Sequence, residues 1–131
     1  MEKRAIILGA YSAFNARDAD RALALMSEDV SWPKASEGGR VVGKQNIREY
    51  WTRQWGDFDP YVDVLELIDR ENGKTEVKVH QLVKNRNGDI LSDTELWHVF
   101  TMANALIERM DILEADGNTE GRSAAFGIHN S

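Results

Sequence analysis

The feature that most limits what this chain can become is a change of period near residue 60. From Tyr61 onward apolar residues alternate with polar ones in four consecutive runs, Tyr61 to Asp69, Lys74 to Lys84, Ile90 to Met102 and Leu106 to Glu114. Alternation of this kind is the mark of strands with two distinct faces. The connections are Glu71-Asn72-Gly73, Asn85-Arg86-Asn87-Gly88-Asp89 and Ala103-Asn104, short and made largely of hairpin-forming residues. Upstream the spacing is helical. Ile7, Leu8, Tyr11 and Phe14 recur at 3- and 4-residue steps within Ala5 to Ala16, predicting an amphipathic helix. Asp18 is placed to cap a second, short helix whose apolar face is Ala22, Leu23, Leu25 and Met26, closed by Ser27-Glu28-Asp29. Val30-Ser31-Trp32 reads as a short strand stopped by Pro33. After a polar loop, Lys34 to Gly39, Arg40-Val41-Val42-Gly43 leads into a third helix, roughly Lys44 to Trp55, with Ile47, Tyr50, Trp51 and Trp55 along one side. Helices followed by a run of antiparallel strands predict an α+β fold.

Composition narrows the function classes. A length of 131 residues fits one domain, able to bury roughly two-thirds of its unfolded surface. There is no cysteine, which excludes disulfides, thiolate nucleophiles and cysteine metal sites. The net charge of −6 and pI near 5.0 weigh against a nucleic-acid partner. No apolar run approaches the ~20 residues of a membrane span, and Met-Glu-Lys-Arg followed by Ala5-Ile6-Ile7-Leu8 lacks the length of a signal segment. A cytoplasmic protein without a membrane partner is expected. The packed domain is expected over residues 1–114. A polar tail rich in Gly, Asn and Ser should run from Ala115 to Ser131, and His129 within it has no expected role.

Hairpin register assigns the strand faces. Centring one turn on Asn87-Gly88 pairs Lys84 with Leu91, Leu82 with Asp93 and His80 with Glu95. Centring the next on Ala103-Asn104 pairs Val99 with Glu108 and Trp97 with Met110. Residues two apart share a face. One face then carries His80, Leu82, Glu95, Trp97, Val99, Met110 and Ile112. The other carries Val77, Val79, Gln81, Val83, Leu96, His98, Phe100, Ile107, Arg109 and Asp111. Both are substantially apolar, so one should receive the helices and the other a second subunit.

Several stretches carry a resemblance: Ala13-Phe14-Asn15-Ala16-Arg17-Asp18-Ala19-Asp20, Leu25-Met26-Ser27-Glu28-Asp29-Val30, Gly43-Lys44-Gln45-Asn46-Ile47-Arg48-Glu49-Tyr50-Trp51, Trp97-His98-Val99-Phe100 and Ile107-Glu108-Arg109-Met110-Asp111. In this order they resemble the nuclear-transport-factor-2-like superfamily, closest to its SnoaL-like and ketosteroid-isomerase-like members. The resemblance implies a cone-shaped fold of three N-terminal helices packed on a strongly curved, mostly antiparallel sheet enclosing a pocket, and a homodimer through the sheet. It also makes the His80–Trp97 face the concave one. Ketosteroid isomerases use a tyrosine and a protonated aspartic acid as an oxyanion hole and a second aspartate as base. The matching positions here hold Ala10, Trp97 and Lys34, so that mechanism is not expected. SnoaL-type polyketide cyclases use a histidine and an aspartate, which keeps acid–base chemistry open on other residues.

On this reading the pocket contains His80 opposite Glu95, ~5 Å apart at Cβ. A carboxylate bonded to an imidazole raises its pKa and fixes its tautomer, as suits a general base; a self-satisfied polar pair without chemistry is the plainer alternative. Trp32, Tyr50, Trp51 and Trp97, with Leu82 and Met110, would hold the substrate by stacking and apolar contact. His98 and Asp111 are rival acid–base candidates on the opposite face. No metal-binding motif and no glycine-rich nucleotide loop follows a strand, so neither metal nor cofactor is expected. The expected function is binding of a small hydrophobic molecule, with isomerase, cyclase, dehydratase or hydrolase chemistry as its enzymatic form. A non-catalytic ligand-binding or dimerisation module is the alternative.

Overall fold

The computed structural model describes residues 2–70 and 72–114. The tail beginning at Ala115, with His129, and the turn residue Glu71 lie outside the described residues. The elements are α1 (Lys3–Asn15), α2 (Ala19–Leu23), β1 (Met26–Pro33), β2 (Arg40–Val42), α3 (Lys44–Asp57), β3 (Phe58–Asp69), β4 (Lys74–Asn85), β5 (Ile90–Ala103) and β6 (Leu106–Glu114). The helices and hairpins therefore form where the two periods expect them. Asp18 caps α2 by accepting from the Arg21 amide at 3.1 Å. Met26, expected on the second helix, instead begins β1 and is buried. Gly43 precedes α3 at φ +98, a conformation that disfavours any side chain. None of the helices among the described residues is long and apolar enough to cross a membrane.

The strands form one six-stranded mixed sheet in the order β2-β1-β6-β5-β4-β3. Among the described strands only β1 and β6 run parallel; the other pairs are antiparallel. The sheet is curved and does not close. Bulges between Val64 and Glu66, Val83 and Lys84, and Thr101 and Met102 interrupt the ladders, and an extra residue on one strand bends it and increases its twist. The three helices pack on one face. Ile6, Ile7, Ala10 and Ala13 of α1 and Ile47, Tyr50 and Trp51 of α3 meet Val77, Val79, Val83, Leu96, Phe100, Ile107 and Met110 in a single core. Burying each large aliphatic side chain stabilises the fold by about 1.5–3 kcal/mol.

The faces of the sheet differ from the expected assignment. The β4–β5 register agrees, with His80 opposite Glu95 and Leu82 opposite Asp93. The β5–β6 register does not. Its turn is centred on Asn104-Ala105, both at positive φ, so Ala103 pairs with Leu106. The bulge at Thr101/Met102 then adds one more residue, leaving Phe100 opposite Met110 and Val99 opposite Asp111. The turn shift moves the pairing by two and keeps the faces; the single bulged residue exchanges them. Met110 and Ile112 thus join His98 and Phe100 on the helix-covered face. His80, Leu82, Glu95, Trp97 and Val99, together with Asp111, lie on the outer face.

Candidate functional site

A cavity lies between the helices and the inner face of the sheet. Its walls come from α1 (Ala10, Tyr11, Phe14), β1 (Met26, Trp32), α3 (Tyr50, Trp51, Gln54) and strands β3 to β6 (among them Val62, Gln81, His98, Phe100, Met110). Its open volume is about 60 Å³, room for a few water molecules. Pro33 and Ala35, from the β1–β2 connection, also line it.

Strand alternation and helix spacing explain this membership. On β5, Leu96, His98 and Phe100 point inward at period 2. On α3, Ile47, Tyr50, Trp51 and Gln54 follow the i, i+3, i+4, i+7 stripe and all are buried. Four aromatic rings of the wall make three edge-to-face contacts. Trp32 lies 5.7 Å from Trp51 and 6.3 Å from Phe100, centroid to centroid, and Phe14 lies 5.5 Å from Trp51. The indole N–H groups of Trp51 and Trp55 are buried and find no hydrogen-bond acceptor among the described residues.

The polar centre is Tyr11 with His98. Tyr11 Oη and His98 Nδ1 are 2.6 Å apart and both residues are buried. Their rings stack at 14°, with Phe100 standing edge-on to both. Burial drives the His98 pKa down to about 3 and the Tyr11 pKa well up, because an apolar surrounding penalises the charged form of each. At neutral pH both are uncharged. With the imidazole proton on Nε2, the Tyr11 hydroxyl donates to Nδ1. Burial also raises the Tyr50 pKa, opposed by its hydrogen bonds to Ser36. The Ser36 amide donates to Tyr50 Oη at 3.1 Å and the Ser36 hydroxyl lies 3.0 Å from it. Arg53 holds the neighbouring Glu37 through two bonds of 2.9 and 3.1 Å. Together these contacts fasten the connection between β1 and β2 onto α3.

The expected site residues divide between the two faces. Trp32, Tyr50, Trp51 and Met110 line the cavity. His80, Glu95, Trp97 and Leu82 do not. His80 Nε2 lies 2.5 Å from Asp93 Oδ1 on the outer face, and Glu95 pairs with Lys78 at 3.4 Å rather than with His80. Asp111 also faces outward, held by Arg109 and Arg40. Of the rival pair only His98 is inside. Tyr11, Gln54 and Gln81 complete a polar set that the sequence reading left unassigned. A signal for the correct face was present in β4. Lys74, Glu76, Lys78 and Lys84 share His80's face, while Val77, Val79 and Val83 share Gln81's. Among the described residues no cluster of His, Asp and Glu is arranged to hold a metal ion.

Three helices on a strongly bent sheet, with a cavity between the layers, define an α+β cone. The SnoaL-like domain family model matches residues 7–110, and the chain belongs to that family. Curated proteins provide no match in sequence. Among solved structures, TerC co-crystallised with polyporic acid is similar at 22% identity and TM-score 0.75, over 86% of this chain and 91% of that one. An NTF2-like protein of unknown function from Burkholderia pseudomallei is similar at 19% identity and TM-score 0.74, over 85% and 88%. RV0760c from Mycobacterium tuberculosis, in complex with estradiol-17beta-hemisuccinate, is similar at 16% identity and TM-score 0.73, over 87% and 95%. At such identities the likeness speaks for the fold, and that fold hosts many functions.

Proposed function

We propose that the protein binds a small hydrophobic, ring-containing molecule in the cavity, with Tyr11 and His98 as its polar contact. The observation that carries this reading is the buried 2.6 Å Tyr11–His98 bond inside a wall of aromatic side chains. TerC and RV0760c, both structurally similar, were crystallised with polyporic acid and with estradiol-17beta-hemisuccinate, which supports a ring-containing ligand. A ring system needs more room than about 60 Å³, since ligand pockets run to roughly 300–1,000 Å³. Binding would then widen the wall at the connection from Lys34 to Gly39, which carries Ala35 of the lining and lies outside the β1–β2 ladder.

Acid–base catalysis is the second reading, and it moves from His80 and Glu95 to Tyr11 and His98. A neutral imidazole can polarise a carbonyl, but an imidazole this hard to protonate is a weak base. Binding is accordingly placed first and turnover second. The outer sheet face, with Tyr61 and Leu65 of the edge strand β3 each about half exposed and Leu82, Trp97 and Val99 on the adjoining strands β4 and β5, is the proposed seam of a homodimer, and the proposed setting is the cytoplasm.

The test uses N-phenyl-1-naphthylamine, an uncharged dye that brightens in apolar surroundings. Wild type should give saturable emission, and Ala10→Phe, which fills the cavity from α1, should abolish it while leaving the far-ultraviolet circular dichroism unchanged. Dye binding that ignores the plug would place the ligand elsewhere. For the dimer, sedimentation at micromolar concentration should give twice the chain mass, and Val99→Arg should halve it.

A further inference from the structure

At one edge of the sheet a side chain takes the place of a strand. β3 ends the strand order and pairs only with β4, so alternate residues along it turn their amide and carbonyl away from the ladder. At Val62 both groups are taken by the last residue of α1. The Asn15 carboxamide donates to the Val62 carbonyl at 2.9 Å and accepts from the Val62 amide at 3.0 Å. A carboxamide carries a donor and an acceptor side by side, as a peptide group does. Asn15 therefore does at this point what a further strand would do.

The same helix carries the polar centre of the cavity. Tyr11 and Asn15 are four residues apart and share a face of α1. Tyr11 bonds to His98 on β5, which is separated by β4 from the edge strand that holds Asn15. Two strand spacings make that span about 10 Å. The Tyr11–His98 bond is 2.6 Å long. A shift of α1 by about 1 Å away from β5 would end it, because no hydrogen bond survives beyond about 3.5 Å. Two other ties link this part of the chain to β3: Lys3 with Asp69 at 2.9 Å, and Arg17 with Asp59. Both are exposed ion pairs, which hold a helix weakly. The Asn15 bonds are part-buried, and Val62 itself is buried and lines the cavity.

We propose that Asn15 is a positioning residue of the site: by pairing with the Val62 backbone it sets α1 over the sheet and so holds Tyr11 against His98. Its part in ligand binding rests on the cavity reading above; the contact it controls does not.

Nitrogen-15 NMR of the imidazole rings reads that contact with no ligand present. Tyr11→Phe removes the hydroxyl and marks where the His98 Nδ1 resonance falls once its bond is broken. Asn15→Leu keeps the size of the side chain and loses both bonds to Val62. It should move the resonance to the Tyr11→Phe position at temperatures where circular dichroism shows the variant folded. Lys3→Gln should leave the resonance where wild type has it. If the leucine variant fails to fold, Asn15→Asp still accepts from the Val62 amide but donates nothing to its carbonyl, and should move the resonance part of the way. A folded Asn15 variant with the wild-type resonance would overturn the proposal, since a residue that only adds stability leaves the native contact in place. Failure of the dye to bind wild type would count against the cavity reading and leave the Asn15 result standing.

Discussion

Acid should expose His98. The residue is neutral in the folded protein, with its pKa held near 3 by burial, whereas in the unfolded chain it takes up a proton below its ordinary value of about 6.5. Between those limits the unfolded state binds more protons than the native state, so stability rises with pH and falls as pH drops. Each pH unit below 6.5 costs about 1.4 kcal/mol, or about 2 kcal/mol by pH 5. Other groups titrate in the same range. Glu37, held low by its hydrogen bonds from Arg53, and Asp69, held low by Lys3, lose their native advantage as they protonate. Those losses are common to wild type and to His98→Gln, so the comparison removes them. Urea unfolding of both proteins at pH 7 and pH 5 should show wild type losing about 2 kcal/mol more than the variant over that interval. In a thermal melt the same gap is roughly 6–10 °C for a chain of this size. Parallel losses in the two proteins would mean that His98 is solvated or protonated in the native state, and the neutral Tyr11–His98 pair would have to be abandoned.

Three further outcomes follow from the geometry. Ala105 sits at φ +64 in the β5–β6 turn, where a Cβ is disfavoured, so Ala105→Gly should raise stability by about 0.5–1 kcal/mol in urea; a loss would mean that the strain is absent. Ile47 is fully buried beneath α3, and Ile47→Ala should lower stability by about 2–5 kcal/mol, with a change below about 1 kcal/mol arguing that α3 is not seated on the core. His80→Ala should leave dye binding unchanged and shift stability by no more than about 1 kcal/mol, because its partner Asp93 is exposed. Loss of binding in that variant would return the site to the outer face.

The architecture was legible because its causes are local. Period 3.6 before residue 57 and period 2 after it produced helices and strands within a few residues of their observed bounds. The Asn85–Asp89 turn, where the Asn85 side chain accepts from the Asn87 and Asp89 amides, is the kind of chemistry that residue types announce. That is why the His80–Glu95 pairing was foreseen. It was the orientation of the sheet that could not be read from pairing alone. One bulged residue at Thr101/Met102 exchanges the faces of β6 relative to β5, and it has no sequence signature.

The site shows the same division. Trp32, Tyr50 and Trp51 were singled out from composition and helix spacing, and Met110 from a β5–β6 register that the structure overturns; all four line the cavity. Tyr11 and His98 are 87 positions apart, and nothing in either neighbourhood points to the other. Their contact exists because α1 lies across β5, a relation decided by how the helix layer covers the sheet. The sequence by itself determined a helix-then-hairpin α+β domain, uncharged and aromatic along one side of α3. Only the tertiary structure decided which sheet face those aromatics would meet. Strand alternation leaves two faces open, and packing against α1 and α3 buries the one whose strands carry valine, histidine and phenylalanine rather than lysine and glutamate.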